Sequence, residues 1–276
     1  MIQIGIYNDL EILRDTSIGL YLGDKQGNDV LLPWKDEPED IAIGDVLSVF
    51  VYKDSEDRLI ATTKKPFILL NEFAFLEVKQ VNRVGAFLDW GLVKDLLVPF
   101  REQPQEMLRG RSYVVFMYHD KTTDRLVASG NVRKFLNNDD LTVSEEEEVD
   151  LMVYGFDDIG INVIINNTHR GLLYKNEIFT KVEYGDRLKG YIKKIRDDNK
   201  IDVVLQKQGY AHVEPNAQKI LSLLQEAEGF LFLNDKSSPE DIKYQLQMSK
   251  KTFKKAIGAL YKQKLIRIES DGIYLV

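Results

Sequence analysis

The chain of 276 residues contains no cysteine and only three histidines. The missing thiols exclude disulfide bonds and thiolate-bound metals, and no histidine has a second histidine or an acid at metal-ligand spacing. No G-x-x-x-x-G-K-[ST] or G-x-G-x-x-G sequence is present to bind phosphate, and no serine lies in a nucleophile-elbow context. We therefore expect no catalytic residue, no bound metal and no cofactor. A nuclease built from dispersed carboxylates is the enzymatic alternative.

Long hydrophobic runs are also absent. The N-terminal residues MIQIGIYNDLEILRD lack the basic and apolar parts of a signal peptide, and no uncharged stretch reaches membrane-spanning length. Together with the lack of cysteine, this predicts a cytoplasmic protein that does not bind membranes.

Positive charge is in deficit, with 37 Lys and Arg against 44 Asp and Glu and a net charge of −7. An acidic protein repels a polyanion, which argues at first against a nucleic-acid partner. The deficit is uneven, however: residues 1–66 carry −6, residues 67–149 carry −4, residues 150–211 carry +1 and residues 212–276 carry +2. The sequence thus indicates that only the C-terminal half tolerates a polyanion, with chance or a role in solubility as the alternative explanation.

What the chain does contain is one pattern used three times. Each copy opens on a glycine, has a second glycine 25 residues later, and carries a proline or tyrosine 14 residues after the first. The corresponding residues are Gly19, Gly44 and Pro33; Gly85, Gly110 and Pro99; and Gly160, Gly185 and Tyr174. A fixed spacing of this length indicates one supersecondary unit repeated in tandem.

Each copy has the pattern of five short strands, without helix-length periodicity between the second and the third. This predicts a mainly β fold of three tandem five-stranded OB-fold barrels followed by a C-terminal α/β winged helix-turn-helix. The predicted domains are 1–66, 67–147 with a flexible acidic linker from about residue 136, 148–211 and 212–276. A barrel of about 65 residues is marginally stable alone, so neighbouring copies should pack together.

The C-terminal segment changes to a helical period. AQKILSLLQEA (217–227) predicts one helix, while Ser238 and Ser249 are N-cap residues for two more. Two short strands, 265–268 and 272–276, complete a winged helix-turn-helix. The helix after Ser249 should bury Phe253, Ile257, Leu260 and Tyr261 along one stripe.

The same helix occupies the place of a recognition helix and contains no acidic residue. Its predicted nucleic-acid contacts are Lys250, Lys251, Lys254, Lys255 and Lys262. Lysines supply phosphate contacts with little sequence information, so we expect non-specific or structure-led binding. A solvated face, or a surface that binds protein, is the alternative.

The repeated phrases VGAFLDWG, LLVP and DRLVAS resemble the RNA-binding domain of ribosomal protein S1. Three such units followed by SKKTFKKAIGALYKQ resemble the bacterial CvfB family, also called YitL, over essentially the whole chain. The resemblance implies RNA binding and a role in the expression of other genes, including virulence genes in some bacteria.

In typical domains of this kind, two aromatics on the second strand and a histidine on the third stack on bases. The first aromatic position holds Ile18, Val84 and Ile159, and the second holds Tyr21, Phe87 and Asn162. The histidine position holds Pro33, Pro99 and Tyr174, and a basic position near the last strand holds Arg58, Arg125 and Lys200. No copy therefore has the complete face.

The third copy has the best cluster of ring and cations for single-stranded RNA. Its predicted RNA-binding residues are Asn162, His169, Arg170, Tyr174, Lys175, Lys193, Lys194, Arg196 and Lys200. A core tyrosine with a satisfied hydroxyl and a solvated basic hairpin are the alternatives. Phe87 and Arg125 are predicted as secondary RNA contacts, whereas Trp90 is expected to pack between domains rather than to stack on a base.

These observations predict a non-catalytic RNA-binding protein, a post-transcriptional or global regulator of gene expression. The RNA would be single-stranded, bound with weak sequence preference, and held mainly by the third barrel and the winged helix. Two other functions stay open: a protein-binding scaffold, and a transcription regulator that binds DNA through the winged helix.

Overall fold

The fold is that of a computed structural model, which describes residues 1–178, 180–205 and 215–276. The chain divides into two compact units. The first comprises Met1–Thr142, Asp150–Leu172 and Lys181–Leu188, and the second comprises Val143–Val149, Leu173–Thr180 and Lys189–Val276. The strands of the third copy are thus shared between the units. The predicted boundaries after residues 66 and 147 stay predictions, and the one after residue 211 lies outside the described residues.

The first copy is a closed barrel. Its strands are β1 (Tyr7–Thr16), β2 (Gly19–Gly23), β3 (Asp29–Pro33), β4 (Val46–Lys53) and β5 (Leu59–Thr62). They follow one another around the barrel as β1-β2-β3-β5-β4, and the parallel pair Leu31–Ile60 joins β3 to β5. Alternate apolar residues such as Leu22 and Leu32 fill the interior, as the period of a strand requires.

The first glycine of the repeat is required by a close approach of two strands. Gly19 has φ +154°, and a Cβ there would lie 2.2 Å from the carbonyl oxygen of Leu32 on β3. Gly85 repeats this geometry, with φ +155° and 2.2 Å to the carbonyl oxygen of Val98. A side chain at either position would push the second and third strands apart.

The second copy has the same five strands in a sheet that is not closed by a strand ladder. They are β6 (Phe73–Asn82), β7 (Gly85–Leu88), β8 (Leu96–Pro99), β9 (Ser112–Asp120) and β10 (Arg125–Ser129). The sheet order is β10-β9-β6-β7-β8, which leaves β8 and β10 as its edges. Both edges contribute to one core through Val98 and Ala128, each fully buried. The expectation of a closed barrel is therefore met only in part in this copy.

The third copy is again a closed barrel. Its strands are β11 (Glu148–Phe156), β12 (Gly160–Ile165), β13 (His169–Tyr174), β14 (Arg187–Ile195) and β15 (Ile201–Val204). The order β11-β12-β13-β15-β14 is that of the first copy. In all three copies a short 3-10 helix follows the third strand, at Trp34–Asp36, Phe100–Glu102 and Lys175–Glu177.

Trp90 packs the second copy against the first, as expected from the sequence. Its side chain is 3% exposed and meets Phe50 and Tyr52 edge-on, with ring centroids 5.7 Å and 6.0 Å away. Edge-to-face packing of buried rings is favourable beyond the area it buries.

The second and third copies meet within the first unit. Phe73 and Phe116 of the second copy share an apolar cluster with Met152 and Ile164 of the third. At its margin the Asn167 side chain accepts a hydrogen bond from the backbone N–H of Phe73 and donates one to the carbonyl of Asn71, both at 2.9 Å. One amide thus satisfies two backbone groups of another domain.

The segment predicted as a flexible linker, 136–148, is held in place in its first part. Asn138 is 6% exposed, and its side chain forms two hydrogen bonds with the backbone of Arg170, at 2.8 Å and 3.0 Å. The prediction of flexibility was wrong for this residue, because its side-chain amide forms hydrogen bonds with the backbone of a strand and not with solvent.

The C-terminal domain is a winged helix. Its elements are α1 (Pro215–Glu226), β16 (Phe230–Leu231), α2 (Pro239–Leu246), α3 (Lys250–Lys262), β17 (Ile266–Ile268) and β18 (Ile273–Leu275). The sheet order is β16-β18-β17. Both predicted caps are confirmed: the hydroxyls of Ser238 and Ser249 accept from the backbone N–H of Asp241 and Thr252. No helix in the described part of the chain has the length and apolar character needed to cross a membrane.

Candidate nucleic-acid interface

Tyr174 and Arg196 come together at the ends of two strands of the third barrel. Tyr174 is the last residue of β13, and Arg196 directly follows β14. The guanidinium donates from Nη2 to the tyrosine hydroxyl, and its Cζ lies 5.9 Å from the centroid of the ring. The two side chains predicted to hold RNA are therefore in direct contact.

Asp202 on β15 fixes the orientation of this guanidinium. Arg196 donates from Nε and Nη2 to the two carboxylate oxygens, at 3.0 Å and 2.7 Å. This fork geometry is the strong, bidentate form of an ion pair. The hydrogen bond to Asp202 is the main reason why the pKa of Arg196 is raised. Asp202 was missed by the sequence analysis, although it stands where the first two copies hold Ile60 and Val127.

Tyr174 is half-buried, and its hydroxyl is satisfied by Arg196. The bound hydroxyl agrees with the alternative of a tyrosine whose hydroxyl is satisfied, while part of the side chain remains exposed. The stacking role stays a prediction.

Two of the predicted lysines of the third barrel form an ion pair with a carboxylate, and two others are exposed. Lys193 pairs with Glu177, and Lys200 pairs with Asp198 at 2.6 Å. Lys175 and Lys194 are exposed. Within the described residues neither of these two has a carboxylate within ion-pair distance, so their charge is available to an anion.

His169 is not at the surface. Its side chain is fully buried, and both ring nitrogens are engaged. Nδ1 contacts the carbonyl oxygen of Asn137, while Nε2 accepts from the N–H of Thr142 at 3.2 Å and lies 2.8 Å from its hydroxyl. The expectation that His169 contacts RNA was wrong, because it begins β13 with its side chain inward. Its neighbour on the strand, Arg170, is exposed.

Asn162 lies where the family has its second aromatic. It is half-buried, and its Nδ2 donates to Asp157 at 3.0 Å. The carboxylate beside it disfavours an approaching phosphate, so a role for Asn162 would be contact with a base edge.

The secondary site predicted in the second copy is altered by an ion pair. Arg125 binds the carboxylate of Asp57 in the first copy through both Nε and Nη2. Arg125 as an RNA contact stays a prediction, with its guanidinium engaged by Asp57 in the protein alone. Phe87 is half-buried on β7 and keeps its place as a prediction.

The first copy shows the same pairing of cations with acids. Arg58 binds Asp54 at 2.7 Å and Glu56 at 2.9 Å. Arg14 lies 4.2 Å above the Tyr21 ring and pairs with Asp29 at 2.7 Å. This cation lies closer to its ring than Arg196 lies to Tyr174, where the distance is 5.9 Å, so the Tyr21 ring is the more closely covered of the two.

The helix α3 presents most of its lysines to solvent. Lys251, Lys254, Lys255 and Lys262 are exposed, and Lys250 is half-buried with its Nζ 3.5 Å from the carbonyl oxygen of Lys236. The buried stripe consists of Phe253, Ala256, Ile257 and Leu260. The expectation that Tyr261 belongs to it was wrong: the ring is 59% exposed, because its position lies about 100° around the helix from Leu260, beyond the edge of the stripe.

The described residues contain no group of three histidines and acids that could hold a metal ion. The site offers rings and cations, which suit stacking on a base and neutralising phosphate.

Comparison with known proteins identifies the domain types. Residues 4–64 and 72–131 match the S1 domain, and residues 218–275 match the CvfB-like winged helix domain. These segments together span well over half of the chain. The third copy lies outside the matched S1 residues, although its barrel has the strand order of the first.

Relatives resemble the chain over most of its length. YitL of Bacillus subtilis (strain 168) is 29% identical over 273 residues, covering 96% of this chain and 91% of that protein. Conserved virulence factor B of Staphylococcus saprophyticus is 28% identical over 246 residues, covering 87% of this chain and 82% of that protein. A solved multidomain protein with nucleic acid binding domains from Streptococcus pneumoniae is 24% identical, with 99% and 98% covered and a TM-score of 0.46.

S1 domains and winged helices are nucleic-acid-binding domain types, and both occur in this chain. The chain therefore combines S1 domains with a CvfB-like winged helix domain, and it resembles YitL and conserved virulence factor B over most of its length.

Proposed function

We propose that this chain is a non-catalytic RNA-binding protein that regulates the expression of other genes in the cytoplasm. Single-stranded RNA is held mainly by the third barrel and the winged helix. The observation that carries the proposal is the cluster of a ring and cations in the third barrel. Tyr174 contacts Arg196 there, and Lys175 and Lys194 are exposed without a carboxylate partner among the described residues.

The third barrel supports single-stranded RNA as the form that is bound. Barrels of this kind hold a strand by stacking unpaired bases on flat side chains while cations contact the phosphates. Tyr174 and Arg196 supply flat groups, and Lys175 and Lys194 supply charge. Each base has a face that can stack, so the preference among sequences is weak.

The winged helix supports a second contact with the same strand. Lys251, Lys254 and Lys262 of α3 are exposed, and the helix carries no acid to repel phosphate. Two binding domains in one chain raise the affinity for a strand that reaches both of them.

The name of the staphylococcal relatives, conserved virulence factor B, supports a regulatory role. A protein that binds RNA with weak sequence preference and carries no catalytic group acts on gene expression by occupying transcripts. Virulence-factor transcripts are the proposed targets in organisms that have them.

A DNA-binding transcription regulator is the second candidate, favoured by one observation. The α3 helix with its cap and exposed lysines is placed as a recognition helix for a duplex groove. Competition between a labelled single-stranded RNA and unlabelled duplex DNA of equal phosphate number separates the two. Stronger competition by the duplex would favour DNA.

The proposal is tested by ultraviolet crosslinking of the full-length protein to a single-stranded RNA, followed by identification of the crosslinked peptides. We expect crosslinks in residues 169–200 and 249–264. Crosslinks confined to residues 1–142 would contradict the proposal, and the absence of any RNA retention would favour a protein-binding scaffold.

A further inference from the structure

The ion pair between Arg196 and Asp202 is peculiar to the third copy. Arg196 takes the place of Asp54 in the first copy: each donates its backbone N–H to the carbonyl of the residue four positions later, at 2.9 Å and 3.0 Å. Asp202 takes the place of Ile60. The third copy thus has an arginine where the first has an acid, and a carboxylate partner for it where the first has an apolar residue. The two positions differ between the copies as a pair.

The pair leaves a defined part of the guanidinium unused. Of its five N–H donors, Nε and both donors of Nη2 serve Asp202 and the Tyr174 hydroxyl. Nη1 has no partner among the described residues. The Arg196 side chain is 37% exposed, while that of Asp202 is 12% exposed. The guanidinium is therefore bound through Nε and Nη2, and the side chain is partly exposed to solvent.

This arrangement suits contact with a base better than contact with a phosphate. The carboxylate of Asp202 already compensates the positive charge, which weakens the attraction for a second anion. The ion pair does not weaken stacking on the planar surface of the guanidinium, and unpaired bases stack on such planes as they do on aromatic rings. A fixed plane also costs less conformational entropy on binding than a mobile one.

We propose that Arg196 is a base-stacking residue of the third barrel. Asp202 and Tyr174 hold its guanidinium in one orientation, in which an unpaired nucleobase can stack on it. This rests on the proposed RNA-binding function and deepens it, since it moves Arg196 from the phosphate contacts to the base contacts. The phosphates fall to Lys175 and Lys194, which lie in the same unit.

The test compares two strands of about 12 nucleotides, within the site size of an OB fold. One is oligouridine, and the other has the same sugar–phosphate backbone with the bases removed. The affinities of the full-length protein and of Arg196→Lys for both strands are measured by fluorescence anisotropy. Lysine keeps the charge and loses the plane. Arg109→Lys, at an exposed arginine of the second copy, is the matched control.

We expect Arg196→Lys to weaken binding of oligouridine by about tenfold and to leave the affinity for the abasic strand nearly unchanged. Arg109→Lys should change neither. An equal loss for both strands, or no loss for either, overturns the inference.

A second variant covers the case in which lysine disturbs the barrel. Arg196→Gln removes the charge but keeps a planar amide. If Arg196 stacks, the slope of log affinity against log salt stays unchanged, whereas a phosphate contact would lower it by about 0.7. A lower slope overturns the inference. A wild-type protein that binds neither strand overturns the proposed function as well, and one that binds both strands equally overturns only the role of Arg196.

Discussion

Arg125 donates two hydrogen bonds to the carboxylate of Asp57, a residue 68 positions earlier in the preceding copy. Beside them, the amine of Lys53 binds Asp124 in the opposite sense. Two corresponding turns of the first two copies are thus joined by reciprocal ion pairs. The charged side chains of these turns hold one domain on its neighbour.

Arg125→Gln should leave the affinity for single-stranded RNA unchanged within about twofold. The guanidinium is already engaged by Asp57, so its removal takes no contact from the RNA. Filter binding of the full-length variant at two salt concentrations measures this. Lys194→Gln is the matched comparison, and its affinity should fall. If Arg125→Gln lost as much affinity for RNA as Lys194→Gln, Arg125 would be an RNA contact.

The same pair predicts a dependence of stability on pH. The hydrogen bond from Arg125 is the main cause that lowers the pKa of Asp57 below its ordinary value of 3.8. Because the folded pKa is the lower one, the stabilisation is complete above pH about 4 and is lost as the pH falls through the folded value. Urea unfolding of the wild type and of Asp57→Asn should differ at pH 7 and converge in acid. A difference that persists at the lowest pH would mean that the carboxylate acts through packing instead.

Trp90→Ala should destabilise the first two copies by about 3–5 kcal/mol, the usual cost of removing a large buried ring. Its indole is buried against Phe50 and Tyr52. Phe100→Ala, at a ring that is 48% exposed, is the control and should cost little. Urea unfolding of both variants, followed by circular dichroism, measures the two losses. Equal effects of the two alanine substitutions would contradict the packing role.

Changing Lys251, Lys254 and Lys262 to glutamine should lower the salt dependence of RNA binding. Glutamine keeps helix propensity nearly constant while it removes three exposed cations. For a single strand, each lysine that touches a phosphate adds about 0.7 to the slope of log affinity against log salt, so its removal lowers the slope by that amount. The same change at Lys25, Lys35 and Lys121, exposed in the first two copies, is the control. An unchanged slope in a folded variant would assign the helix to protein or solvent.

Tyr174→Ala should weaken RNA binding by about 1–3 kcal/mol if the ring stacks on a base. Tyr174→Phe keeps the ring but removes the acceptor for Arg196, which retains its two hydrogen bonds to Asp202. Its effect on RNA binding should therefore be the smaller of the two. Titration with RNA and thermal unfolding are both needed, with Phe100→Ala as the exposed-ring control. A folded Tyr174→Ala protein with full affinity would make Tyr174 structural.

The fold could be read from local patterns to a large extent. Alternating apolar residues give the strands, and Ser238 and Ser249 give the helix starts, since each of these signals depends on a few neighbouring residues. The strand β16 was missed because Phe230–Leu231 is too short to show a period. The open edges β8 and β10 could not be foreseen, because closure depends on backbone distances that no local pattern encodes.

The site was less predictable, for the same physical reason. Whether a cation is available depends on which acid lies near it in space, and Asp57 is far from Arg125 in sequence. The burial of His169 depends on Asn137 and Thr142, which come from the segment expected to be a linker. Asp202 had a signal of its own, a charged residue at a strand position that is apolar in the other copies.

Three similar units in one chain create a risk of misassembly, because one copy can take the place of another while the chain folds. The contacts between copies reduce that risk by being unique. Trp90 packs on the first copy, whereas the corresponding positions hold Asp24 and Ile165. Asn167 forms hydrogen bonds with the backbone of the second copy, and the corresponding positions of the other copies hold Gln26 and Leu92. The order of the domains is thus encoded in the residues in which the repeats differ. Three identical consensus repeats designed from this chain would lack these contacts and would no longer specify which copy packs on which.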